Sequence, residues 1–518
     1  MQKLVRLTIA APFLLLAVHS NEPVAAPMPI AVRQALAAIS ADELKGNLSF
    51  LASDALQGRY TPSPGLDVAA EFIASKFRAA GLEPGGEHDY FQEAEMVDRR
   101  LPNLEKSLTV YVGDRKVRVP AADIALKASG QARRFDHIPV VILPEADANQ
   151  LKGLDLKGKA VLVPDSDWDQ SSGEERSVGF RKLRAFERAV ASSGAAAAIT
   201  IVRHKQMASP ARLLFMDEAA AERTPALSIR SDELAKLVAT LTREKMTLTA
   251  EIPGPNDTKA AVKNVIGILR GSDPVLSKTA VLLTAHYDHI GTVETAGPMS
   301  MHSSLNSADR IYNGANDDGS GTVSVIEVAR ALANIQPRPK RSIVFMAFFG
   351  EERGELGSQF YGKHPVFPVA KTVADLNLEQ LGRTDSTNGL QTNNASVTGF
   401  DYSDVTGFLE RAGARLGVRV YQDTDASDEY FTRSDNEALA EQGVPAHTIA
   451  VAFDFPDYHG VGDEWQKIDY ENMAKVDRMV LLALFDIANS ERAPNWNAQN
   501  PKTERFRNGR MSSVNGSQ

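Results

Sequence analysis

Between residues 260 and 490 short apolar runs alternate with helix-type stretches, and this alternation restricts the fold more than any other feature of the chain. The runs 262–269, 280–285, 342–348, 372–378 and 447–451 read as buried strands, and 322–332, 403–416 and 472–489 read as helices. Strands that alternate with helices pack as an α/β sandwich around a mixed or parallel sheet. Open sheets of this kind carry their sites at the carboxyl ends of the strands. Polar residues cluster at those ends here, so one region sets the architecture and also locates the chemistry.

Upstream of that region the pattern is less regular. Ser40 with Glu43 forms a capping box that opens a helix. Val68, Phe72, Ile73 and Phe77 mark the apolar stripe of a second helix, which stops near Gly81. From 130 to 252 short β-type runs appear at 140–143 and 160–163, with a helix near 180–192. No catalytic cluster occurs there. The stretch reads as a small α/β or β-rich unit inserted between two parts of one catalytic domain, 21–129 and 253–491. Residues 21–39 read as a mobile lead-in and 492–518 as a flexible tail.

The first twenty residues read as a cleaved export signal (1–20). Lys3 and Arg6 precede an apolar run from Leu7 to Val18, and small residues allow cleavage after Ser20. The run is shorter than the roughly 20 apolar residues that span a bilayer, so no membrane anchor is expected after cleavage. The expected location is the periplasm or the medium. A net charge of -9 argues against a nucleic-acid surface. The absence of cysteine excludes disulfides, thiolate metal ligands and a cysteine nucleophile.

Five short segments carry the chemistry. His286 leaves a strand, with Asp288 close enough to orient its imidazole. Asp317 lies in the glycine-rich loop 313–321, just before a helix. Glu351 and Glu352 follow an apolar strand, where two acids are costly unless paired or metal-bound. Glu379 interrupts another strand, and His459 follows Tyr458 in a late loop. Taken singly, each has a plainer reading: a surface histidine, a turn or calcium loop, solvated loop acids, a strand-end acid facing water. The calcium reading fails for want of a closing glutamate. Together, two histidines and three carboxylates without cysteine suit a pair of borderline divalent ions, most simply zinc, with Asp317 between them.

These segments, in this order, closely resemble the M28 family of zinc aminopeptidases. The likeness includes the Asn-Asp-Asp-Gly-Ser-Gly loop, the Glu-Glu pair, Asn-Leu-Glu-Gln-Leu-Gly-Arg and the late Tyr-His. The resemblance implies a three-layer α/β sandwich with a mixed, largely parallel central sheet. It implies two Zn2+ ions, with cobalt or manganese as substitutes. His286 and Glu379 would hold one ion, Glu352 and His459 the other, and Asp317 would bridge them. Glu351 would take a proton from the attacking water and pass it to the leaving amine. Asp288 would support His286, Tyr458 would hydrogen-bond the tetrahedral oxyanion, and Arg433 would help hold substrate. Many members have Asp where this chain has Glu379, which changes the reach of that ligand. Residues 130–252 resemble the protease-associated domain that some members insert, through 156–161 and the Ala-rich stretch after Gly194. Gly58-Arg59 and the helix leading to Gly81 resemble the family's start.

The expected activity is removal of an N-terminal residue from a peptide with a free amino group. Carboxypeptidase or glutaminyl-cyclase-like chemistry on the same scaffold is the alternative. A binding protein that lost catalysis is the third reading, and it sits poorly with an intact ligand set.

Overall fold

The computed structural model describes residues 28–101, 106–164, 173–203, 212–220, 224–240, 245–296, 308–387, 389–424 and 427–515; the expected export signal lies outside them. The apolar runs form one mixed ten-stranded sheet. Its main strands, in chain order, are β1 (Phe91–Arg100), β2 (Arg212–Phe215), β3 (Asn256–Leu269), β4 (Ala280–His286), β5 (Ser342–Phe348), β6 (Thr372–Glu379), β7 (Asn394–Val397), β8 (Arg419–Tyr421) and β9 (Ala446–Ala450). Across the sheet they run β8-β7-β9-β6-β4-β5-β3-β1-β2, with the short Glu83–Pro84 strand beside β3. The centre, β9-β6-β4-β5, is parallel, whereas β3 is antiparallel to β5 and β1 to β3.

Every residue of β4, β5, β6 and β9 is buried. Strands covered on both faces need apolar side chains on both, so these four read as unbroken runs. Successive residues still point to opposite sides. Val281, Leu283 and Ala285 of β4 join one core cluster, while Ala280 and Leu282 join another. The first cluster includes α1 (Pro64–Ala80), α2 (Gly321–Ala333), α3 (Val405–Leu416) and α4 (Tyr470–Asn489) through Phe77, Leu332, Leu409 and Leu482. The second includes Tyr361, Phe431, Trp496 and Phe506. This is the three-layer α/β arrangement.

A second, eight-stranded sheet has its own two apolar clusters. It begins earlier than the expected boundary at 130. The hairpin Ser107–Val112 and Arg115–Val119 docks on Met246–Ile252, and Ile124–Ala128 pairs with Ala226–Ile229. Among the described residues, only β2 leaves this stretch to join the catalytic sheet, beside β1.

Both expected loose ends are corrected. Ile30–Ala38 is a helix that buries Val32, Ala35 and Leu36. Residues 492–515 are not a flexible tail: Trp496 and Phe506 stack in the core at 5.2 Å, and Asn500 caps the short turn that leads into the helix Glu504–Asn515. Two aromatic side chains are enough to dock an otherwise polar stretch. Among the described residues no helix is long and apolar enough to cross a membrane.

Candidate active site

β4 and β5 end side by side. Tyr287 N donates to Phe348 O across 3.0 Å, so His286 and the Phe349–Glu352 turn emerge together. Asp288 is buried beneath them. Its Oδ1 accepts from Glu351 N at 3.1 Å and its Oδ2 from Thr61 Oγ1 at 2.8 Å. His286 Nδ1 lies 3.5 Å from Asp288 Oδ1 and 3.3 Å from its backbone oxygen. The imidazole is thereby turned to point Nε2 away from Asp288, into the site.

The loop before α2 is pinned from several sides. Gly314 has φ 56°, and a Cβ there would meet the His289 ring at 2.5 Å, so the close approach requires glycine. Asp463 accepts from the backbone N–H groups of Asn316 and Asp317 at 2.9 and 3.1 Å. Asn316 Oδ1 accepts from Gly382 N and Arg383 N, which follow β6, at 2.8 and 2.9 Å. Asp318 Oδ1 accepts from Gly321 N at 2.9 Å and Gln380 N at 3.2 Å.

These contacts hold the Asp317 carboxylate between two rings. Oδ1 is 3.4 Å from His286 Nε2 and Oδ2 is 3.2 Å from His459 Nε2. Glu352 Oε2 is 3.3 Å from His459 Nε2. Its Oε1 is 2.8 Å from His289 Nδ1, out of hydrogen-bond alignment, so both atoms are buried without a hydrogen bond. Glu351 Oε2 stands 3.9 Å from His286 Nε2. Glu379 is buried at the end of β6 and accepts from Ser434 Oγ. The Tyr458 ring stacks on His459 at 4.1 Å. Arg433 is exposed, lies over Tyr430 at 4.5 Å and sits 3.9 Å from Glu429.

Electrostatics set these groups against one another. Burial raises Glu351 and Glu379 above the usual carboxylate range, and neighbouring acids add to the rise. Burial also opposes charge on Asp317, but its contacts with His286 and His459 outweigh that and hold it well below the usual range. Buried acids and imidazoles with unmatched lone pairs are the donor set for a borderline divalent cation, and the set suits zinc. His289, Asp317 and Glu352 offer three ligand atoms within 4.8 Å of one another.

His289 is the residue that reading by segments passes over. Its signal was the His-Tyr-Asp-His run itself, which brings a second ring back to the loop. Asp463, Asn316 and Ser434 were missed as supports because each acts through a partner remote in sequence. His447 stays out of the site; it is fully buried, with Nε2 2.6 Å from Ser403 Oγ.

A family profile described as Peptidase family M28 matches residues 264–484. Leucine aminopeptidase 1 of Sclerotinia sclerotiorum is 27% identical over 184 residues, covering 34% of this chain and 47% of that protein. Aminopeptidase YwaD of Bacillus subtilis is 33% identical over 126 residues, 24% of this chain and 23% of that protein. The chain thus spans less than half the length of the curated relatives named here. The fold is similar to that of an aminopeptidase from Aneurinibacillus sp. strain AM-1, with a TM-score of 0.59 and 20% identity over 90% of this chain and 97% of that one. The segment 264–484, which contains every candidate ligand, matches the profile of peptidase family M28.

Proposed function

We propose that this protein is an exported aminopeptidase that uses two zinc ions to hydrolyse the first peptide bond of a substrate with a free N-terminus. One observation carries the reading: the two oxygens of Asp317 face two different imidazoles, His286 and His459. A carboxylate so shared is what a pair of metal ions needs as a bridge. His286 and Glu379 belong on one side of it, and Glu352 and His459 on the other. His289 backs Glu352.

Bound there, zinc supplies Lewis acidity toward the scissile carbonyl and makes a water acidic enough to attack at neutral pH. The rest falls to the chain. Glu351, beside His286 and open to the cleft, takes the proton from the attacking water and returns it to the leaving amine. Asp288 keeps the His286 ring oriented. The Tyr458 hydroxyl donates to the developing oxyanion. The substrate α-amine sits near Glu351, and Arg433 reaches the substrate from the rim. The stretch 130–252, which resembles a protease-associated domain, limits access by large substrates. The names of the aminopeptidase relatives support this substrate class.

Metal analysis of the purified protein, with free and N-acetylated aminoacyl anilides, tests the reading. Zinc in the protein and turnover of free leucyl anilide alone are expected. Turnover confined to the blocked substrates would sink it.

A further inference from the structure

Arg59 is fully buried, yet among the described residues it forms no ion pair. Its guanidinium spends its donors on backbone carbonyls. Nε donates to Tyr287 O at 2.8 Å, Nη1 to Leu51 O and Asn313 O at 2.7 Å each, and Nη2 to Gly314 O at 2.9 Å. Burial lowers its pKa to about 10, with Asp288, Asp463, Asp318 and Asp317 opposing the fall, so it is charged at neutral pH. A buried charge without an ion pair is expensive, and an apolar side chain would fill the space at less cost. Fixed geometry is what the arginine adds.

Its acceptors lie at telling places. Tyr287 separates His286 from Asp288. Asn313 and Gly314 open the loop that carries Asp317. One rigid planar fork therefore ties the loop leaving β4 to the loop entering α2. The backbone around Arg59 is shaped for the approach. Gln57, Gly58 and Arg59 have φ of 48°, 68° and 48°. A Cβ on Gly58 would lie 2.3 Å from Gly291 O and 2.4 Å from Tyr312 O. Neighbours reinforce the same two loops. Thr61 Oγ1 donates to Asp288 Oδ2, and Asp54 Oδ1 accepts from Asn313 Nδ2 at 2.9 Å. Arg353, just after the Glu351–Glu352 pair, donates to Tyr60 OH at 2.6 Å and Thr61 O at 2.7 Å. All of segment 54–61 lies outside residues 264–484, the part matched by the family profile.

We infer that Arg59 is a positioning residue for the metal centre. Its clamp on four carbonyls holds the His286 and Asp317 loops in the register that lets their side chains share a cation. This rests on the metal-centre reading above. The competing account is that Arg59 is only core support. Arg341 is the control for that account: it is also a buried arginine, bonded to Thr279 Oγ1 at 2.8 Å and Ser490 O at 3.0 Å, at the start of β5 and the opposite end of the strand from the site.

The test uses the full chain with Arg59→Lys, Arg341→Lys and Thr61→Val. Lysine keeps the charge but cannot grip four carbonyls. Melting temperature reports folding, chelator competition reports the Zn2+ dissociation constant, and the visible spectrum of the Co2+-loaded protein reports site geometry. Arg59→Lys should weaken Zn2+ binding about tenfold or more and alter the Co2+ spectrum. Arg341→Lys should lower the melting temperature and change neither metal readout. If Arg59→Lys does not fold, Thr61→Val decides, since it removes one hydroxyl contact on Asp288; weaker Zn2+ binding at an unchanged melting temperature is expected. Wild-type Zn2+ affinity and spectrum in the deciding variant, or equal weakening in Arg341→Lys, would overturn the inference. A wild-type protein that binds no Zn2+ would instead remove the metal-centre reading on which it stands.

Discussion

Glu351 and Glu352 are chain neighbours that meet opposite surroundings. Burial and the charges of Glu379, Glu352 and Asp435 raise Glu351, although His286 opposes the rise. Glu352 is buried too, but the nearby His459 and His289 pull it down. Two carboxylates pushed apart in this way divide the labour: the raised one exchanges a proton, the lowered one stays an anion and a ligand. Glu351→Gln should therefore keep its zinc and lose about 10²–10⁴-fold in kcat, measured as leucyl anilide turnover beside metal content. Full activity with full zinc would remove Glu351 from proton transfer. At this scale the sequence singled out side chains that the fold brings together, His286, Asp317, Glu352 and His459. It was silent where a residue works through another. Nothing local marks Arg59 as a partner of Tyr287, and nothing near Asp463 points to the backbone of Asn316.

Elements were legible in proportion to how far their burial is local. β5 is the run expected from its apolar residues, β4 and β6 each run one residue longer, and β9 is shifted by one residue at both ends. The hairpin at 107–119 fell within the expected catalytic part 21–129, whereas its partner, Met246–Ile252, lies more than a hundred residues on in the second sheet. The C-terminal stretch was misread because composition is a poor guide when two aromatic side chains do the docking. Phe506→Ala should cost about 3–5 kcal/mol, read as a fall in the denaturant midpoint. α4 carries a different signature. Asp477 is fully buried on it, with Ser324 as its neighbouring hydroxyl and no well-aligned hydrogen bond among the described residues. Burial raises its pKa to about 8. The folded protein then keeps a proton that the unfolded chain releases near pH 4. Its stability contribution is present below that pH and is lost as pH rises toward 8. Asp477→Asn cannot titrate, so its melting advantage over wild type should be near zero at pH 4 and widest at pH 8, on the order of a few kcal/mol. An advantage that shrinks with rising pH would contradict the assignment.

The whole molecule holds cores that do not merge. The apolar clusters of the second sheet draw only on residues between 101 and 252, and the main core takes Leu213 and Phe215 from that stretch through β2 alone. Among the described residues the other sheet connection between the two bodies is the antiparallel ribbon of β1 and β3, which pairs from Phe91↔Val265 to Arg100↔Asn256. Apolar burial is what couples the unfolding of one part to another, and here little is shared. Scanning calorimetry should accordingly resolve two transitions. Cation binding stabilises only the state that holds the ligands, by RT ln(1 + [L]/Kd), and every candidate ligand lies in the catalytic body. Chelation should therefore lower one transition and leave the other in place, and added Zn2+ should restore it. The close approach of Gly58 to Gly291 and Tyr312 and the Arg59 clamp lie within the body that carries the candidate ligands, so that transition alone should also respond to Arg59→Lys. A single transition that moves as a unit on chelation would show instead that the β1–β3 ribbon and β2 carry enough coupling to make the chain one cooperative body.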